Sequence, residues 1–294
     1  MTTDSKLGLG ALFAASIGVI VAQMGMLTLM QGVGIAGWGF FIALVFAFLL
    51  ALTNAMAYSE MSLMLPHAGN LSGYTEAAMG CFPAILLVFA GYVTPAIFGL
   101  PVELILSDQI LRETIPLNVP PFFWPIVWVV LFAGLNALGT DIFGKVQTAL
   151  SFTILAFLLI TGLLALVMEP SSQDQGAGFQ SLAVDANVMG VIAMAFWVFV
   201  GSEFVTPLVN EAKNPNKDIP KAMLGGLCAI FVVQIIFALG AGKLMPRQLL
   251  AESPVPHIDY ALAVYGKNAK PILAILTVLA SASLLNSVLA AVPR

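Results

Sequence analysis

The chain has 294 residues, of which 60% are hydrophobic and 9% charged, and its formal net charge is -4. Soluble domains are about one quarter charged, so this composition excludes an ordinary soluble protein and indicates an integral membrane protein with many spans. The small, scattered charge offers nothing to nucleic acid, and the two cysteines, Cys81 and Cys228, lie in or beside apolar segments where they supply neither a disulfide framework nor a zinc site.

Lys6 precedes an apolar run that continues to about Val33, too long for a signal peptide and without a cleavage site. It is read as the first of eight runs able to cross a bilayer core of about 30 Å. These are 9–33, 40–63, 82–106, 122–138, 146–167, 188–209, 223–244 and 271–292. They are continuous rather than alternating, which favours helices over a barrel. Trp38, Trp124 and Trp128 fall near span ends, as interfacial aromatics do. The connections 108–121 and 169–187 look ordinary, with Glu103 and Asp108 at an interface. Segment 246–266 is expected to form short helices over the outer surface, with His257, like His67, a surface residue. Lys6, Lys145, Lys213, Lys217, Lys221 and Arg294 fall on one side; Arg112, Lys243, Arg247, Lys267 and Lys270 fall on the other. Four of the second group share one long loop, where basic charge weighs less, so the N-terminus is expected inside the cell.

Two spans are interrupted. In the sixth, Pro207 has no amide hydrogen and frees the carbonyl of Glu203, and Gly201 adds backbone freedom, so unwinding is expected from about Val200 to Thr206. Freed backbone groups are tolerated in lipid only where they face protein or a cavity. The first span has a quieter counterpart in Gln23, Met24, Gly25 and Met26. Glycine and proline are common in membrane helices, and the first break, taken alone, is as much a packing feature as a site. The second contains a carboxylate, and a carboxylate at membrane depth implies function. Interrupted spans at matching positions of two halves point to a transporter, because half-helix N-termini attract anions and half-helix C-termini attract cations. Phe199 and Val200 should end the first half-helix with carbonyls free for an ammonium group, and Glu203 is the candidate proton carrier.

Four stretches resemble the amino acid–polyamine–organocation superfamily of transporters: Ala57-Tyr58-Ser59-Glu60 with Pro66-His67-Ala68-Gly69; Asn136-Ala137-Leu138-Gly139 with Gly144-Lys145-Val146-Gln147; Phe199-Val200-Gly201-Ser202-Glu203; and Glu211-Ala212-Lys213-Asn214-Pro215 with Ile219-Pro220-Lys221-Ala222. The resemblance implies an all-α integral membrane protein with a LeuT-type inverted-repeat bundle, discontinuous in spans one and six. Residues 1–294 would form one transmembrane domain, with a first repeat over about 8–168 and an incomplete second over about 188–294. About eight transmembrane helices are present where such chains have about twelve, so the sequence reads as a fragment or a short form. The resemblance also places substrate against Gln23, Met24, Gly25, Met26, Trp197, Phe199, Val200 and Gly201, and makes Glu60, Lys145, Glu211 and Lys213 gate or flanking charges. Its span-one signature is close to G-S-G-x-F, and here only Gly25 of those glycines is present. The lysine that many members carry seven residues after Gln147 is Ile154. Ser281 and Ser283 match a region where sodium-coupled relatives hold the ion, though small hydroxyls in membrane helices are more often packing groups.

These features lead to a secondary transporter for an amino acid or related amine, working by alternating access and coupled to protons or to exchange. No cofactor or metal is expected. The partners are a small-molecule substrate and the lipid bilayer, with a homodimer left open. The rivals are a transport-inactive fragment or binding subunit, a channel, and a membrane enzyme, the last disfavoured by two scattered histidines.

Overall fold

The computed structural model describes residues 6–65, 71–169, 187–266 and 269–292. The motif at 66–69, most of the connection 169–187, Lys267 and Arg294 lie outside them. The elements are α1 (Leu9–Gly18), α2 (Gln23–Ala36), α3 (Trp38–Met64), α4 (Leu71–Met79), α5 (Cys81–Val88), a π-helical turn (Phe89–Val93) and α6 (Thr94–Thr114). Then follow α7 (Phe123–Ala137), α8 (Thr140–Val167), α9 (Asn187–Trp197), a 3-10 helix (Ser202–Glu211), α10 (Pro215–Leu244), α11 (Arg247–Glu252), α12 (Pro256–Tyr265) and α13 (Lys270–Ala291).

All eight apolar runs are helical apart from breaks at 19–22 and 198–201, and the protein is an all-α, multi-pass membrane protein. Six spans are long and apolar enough to cross a bilayer unaided, and α1 with α2 forms a seventh, bent by 57° at its break. The eighth run is α7, whose 15 residues reach only about 22 Å at 1.5 Å per residue. Several helices outrun their apolar cores because polar turns extend them. Thus α8 starts at Thr140, after Gly139 at φ +111, and α10 starts at Pro215. Pro95 does not break the third span. The missing amide is absorbed by the π-helical turn just ahead of it, where the hydroxyl of Thr94 donates to the Phe89 carbonyl at 2.9 Å.

Helix α10 packs between α8 and α1, α3 packs on α9 and α10, and α13 packs on α8, α6 and α7. The α8–α10 crossing depends on small residues. A Cβ on Gly162 would come within 2.8 Å of the Phe237 backbone, so nothing larger lets the helices approach this closely. Apolar side chains such as Phe46, Leu49, Phe82, Phe98 and Val130 are exposed on the outside of α3, α5, α6 and α7.

The placements of His257 and Trp128 differ from expectation. His257 is 1% exposed. It shares the buried stripe of α12 with Tyr260 and Ala261, the i, i+3, i+4 spacing of one helix face. Trp128 lies within α7 and packs into a cluster with Leu100, Leu104 and Phe132 instead of marking a span end. As expected, segment 246–266 forms two short helices. Arg247 of α11 reaches the end of α2, donating to the Gly34 carbonyl at 2.7 Å and also to that of Ile35, where a cation suits a helix C-terminus.

Candidate functional site

Helix α1 ends at Gly18, and the chain turns through Val19–Ala22 before α2 starts at Gln23. Ala22 is extended (φ -63, ψ 155), and no side chain next to it caps the new helix. Gly25 is required by a close approach, since a Cβ there would sit 2.8 Å from the Ile20 carbonyl oxygen. The leading amides of α2 are instead taken by a carboxyl group from the third span. Glu103 Oε1 accepts from the Gln23 amide at 3.2 Å, and Oε2 from the Met24 amide at 3.1 Å. Oε1 also accepts from Gln23 Nε2 at 3.3 Å and from Ser281 Oγ at 2.9 Å. Glu103 is therefore not interfacial: it is 0% exposed and caps the half-helix of span one. Asp108 is also largely buried, pairing with Arg112 at 2.7 Å, while Arg112 holds the Val119 carbonyl.

The sixth span breaks where Gly201 takes φ +132, ψ -13, a conformation only glycine adopts readily. A Cβ on Gly201 would lie 2.7 Å from that of Val19, so the two breaks touch each other. Beyond it the chain continues as a 3-10 helix rather than returning to an α-helix. Pro207 cannot donate to the Glu203 carbonyl, and Thr206 Oγ1 donates there instead at 2.8 Å. The carboxylate of Glu203 turns back, accepting from the Gly201 amide at 3.0 Å. At the end of α9, the Val198 carbonyl accepts from Gln234 Nε2 at 2.9 Å. Among the described residues the carbonyls of Ile20, Phe199 and Val200 accept no hydrogen bond.

A cavity of about 110 Å³ lies against both breaks. Ile20, Met24 and Gly25 line it from span one, Trp197, Val200 and Phe204 from span six, and Tyr92 from the π-helical turn. Its wall continues along α13 from Leu284 to Val292. Of the expected substrate contacts, Met24, Gly25, Trp197 and Val200 therefore line one space. The others do not. Gln23 is buried against Glu103 and Ser281, and Met26 packs in the core. Phe199 joins Phe48 and Phe231 in an aromatic cluster, and Gly201 supports the turn from behind.

The expected gate charges are not drawn together. Lys145 pairs with Asp141 at 2.5 Å, one turn back on α8, and both are exposed. Glu60 and Lys213 are exposed, with no ion pair among the described residues. Backbone atoms join the two spans here instead. The Leu7 amide donates to the Glu211 carbonyl at 2.7 Å, and the Lys213 amide to the Leu7 carbonyl at 2.9 Å.

The chain is 26% identical over 263 residues to the glutamate/serine transporter AimA of Bacillus subtilis (strain 168), covering 80% of this chain and 46% of that protein. It is 26% identical over 280 residues to the branched-chain amino acid permease BcaP of the same organism, covering 84% and 57%. The lysine-specific permease LysP of Lactococcus lactis subsp. cremoris (strain MG1363) is 24% identical over 216 residues, covering 66% and 42%. The chain thus spans about half the length of the curated relatives it matches. The family model for amino acid permeases matches residues 10–294, nearly the full chain, and two interrupted spans meeting at one cavity agree with it: the protein belongs to the amino acid permease family.

Proposed function

We propose that the chain carries the substrate site of a secondary transporter that moves an amino acid or a related amine across a cell membrane by alternating access. In this reading the bundle is of the LeuT type, with inverted repeats over about 8–168 and 188–294 and the N-terminus inside the cell. Coupling is to protons through Glu203, or to exchange. One observation carries the proposal: the breaks of spans one and six are in contact and line a single cavity. Non-helical backbone at membrane depth is tolerated where it lines a cavity, and this is where transporters hold their substrates.

Uptake of labelled amino acids into proteoliposomes tests the reading. Accumulation driven by an inward proton gradient, or by substrate preloaded inside, is the expected result. Current that flows without substrate would indicate a channel. Binding without uptake under either drive would indicate a binding subunit.

A further inference from the structure

The place at the cavity wall where this site would attract an anion, the start of α2, is already filled by one of the protein's own carboxyl groups. A half-helix N-terminus offers free amides and the positive end of the helix dipole. At α2 those amides, from Gln23 and Met24, are held by Glu103 at 3.2 and 3.1 Å. Ahead of the 3-10 helix and behind the cavity wall, one further amide, that of Gly201, is held by Glu203 at 3.0 Å. Glu103 is fully buried, and each of the four groups facing it is a donor, so it is seated as an acceptor on every side. Met24 lines the cavity, so Glu103 closes the anion position at its wall.

A ligand carboxylate could take this position only by displacing Glu103 into an apolar surrounding, or by sitting about 3 Å from it, where two carboxylates cannot both be ionised. An ammonium group meets no such obstacle. The carbonyls of Ile20 and Val200, both cavity residues, accept no hydrogen bond among the described residues. Tyr92, Trp197 and Phe204 present aromatic rings, which attract cations. The remaining wall is hydrocarbon, and an apolar cavity only a little larger, about 150 Å³, holds benzene.

We propose that Glu103 fixes the specificity of the site, and that the cavity takes a small amine with an apolar body and no carboxylate. This rests on the transporter reading above and narrows its substrate. The test is titration calorimetry on the purified protein with pairs that differ by the carboxylate alone: isoamylamine and leucine, ethanolamine and serine, cadaverine and lysine. The expected result is that at least one amine, isoamylamine foremost, binds at least about tenfold more tightly than its amino acid. Glu103→Ala, which clears the amides of α2, should reverse that preference by a similar factor. Ser281→Ala removes one donor to Glu103. It should shift the ratio the same way by about threefold, and this is the reading if Glu103→Ala does not fold. Tighter binding of the amino acids by the unaltered protein overturns the proposal and leaves the transporter reading standing. An unchanged ratio in the variants that fold overturns the role of Glu103. Failure of all six compounds to bind counts against the transporter reading and this proposal together.

Discussion

Glu203 is held by the turn it helps to make, with its carboxylate on the Gly201 amide and its carbonyl on the Thr206 hydroxyl. Tyr58 and Tyr92 lie within electrostatic reach of it. In the transporter reading proposed above, this carboxyl group is the one assigned to carry the coupled proton. Glu203→Gln keeps an acceptor for Gly201 but cannot carry the proton. It should abolish proton-driven accumulation in proteoliposomes while leaving exchange intact, and undiminished pH-dependent accumulation would rule out the role. Gly201→Ala tests the turn itself. A Cβ there is strained by φ +132 and meets Val19 at 2.7 Å, so a loss of about 2–4 kcal/mol is expected. The melting temperature of the purified variant should fall clearly, and a change of under a degree would contradict it. Pro207 and Gly201 made this break legible in the sequence. Glu103 was legible by the same rule, since it too is a carboxylate inside an apolar run, Gly99–Leu106. What hid its role is distance along the chain: the amides it caps are some 80 residues away, and no local motif marks a cap supplied by another helix.

Helix α12 illustrates how a surface element acquires a buried polar group. The 3.6-residue period places His257, Tyr260 and Ala261 on its inner face, where Ala261 packs with Ile110 and Leu273 and Tyr260 against the Phe237 ring. Neither ring nitrogen of His257 finds a partner among the described residues, and burial pushes the imidazole down to about 4. A folded-state value below the ordinary 6.5 means that the undocked helix binds a proton the docked helix refuses. Docking should therefore be strongest above about pH 6.5 and weaken as pH falls toward 4, by up to about 3 kcal/mol. Hydrogen exchange of the α12 amides, corrected for intrinsic rate, should show protection falling over this window. In His257→Phe the slope should vanish, and equal slopes in the two proteins would refute the assignment. Hydropathy located all eight apolar runs because each is a continuous, one-solvent signal. It could not tell which face of α12 is buried, since that depends on Ile110 and Leu273 from distant parts of the chain. Nor could it foresee the π-helical turn, which answers Pro95 with a local change of winding rather than a break.

The broken helices are joined by a pattern that extends through the bundle: the chain's own side chains satisfy most of the backbone groups that the breaks expose. Glu103 of α6 caps α2, and Gln234 of α10 takes the last turn of α9. At the end of α1, Ser283 of α13 donates to the Gly18 carbonyl at 2.9 Å and Ser151 of α8 to the Ala14 carbonyl at 2.9 Å. Gln147 lies between them, its amide nitrogen 2.8 Å from Ser283 Oγ and 2.9 Å from Ser151 Oγ, and its oxygen accepts from Asn286 at 2.8 Å. Carbonyls at a half-helix C-terminus, together with nearby hydroxyls, are the groups by which broken-helix transporters hold sodium. Here the oxygens of Ala14, Gly18, Ser151 and Ser283 already accept hydrogen bonds from neutral donors, and the Gln147 amide sits among them. Uptake should therefore be unchanged when sodium is replaced by potassium or choline at constant proton gradient. A severalfold dependence on sodium would contradict this. Gln147→Leu distinguishes a filled position from a vacant one. It leaves the Asn286 amide short of an acceptor at full burial, which costs about 1–3 kcal/mol. The variant should thus lose thermal stability with sodium absent as well as present, whereas a resident ion would make the loss depend on sodium.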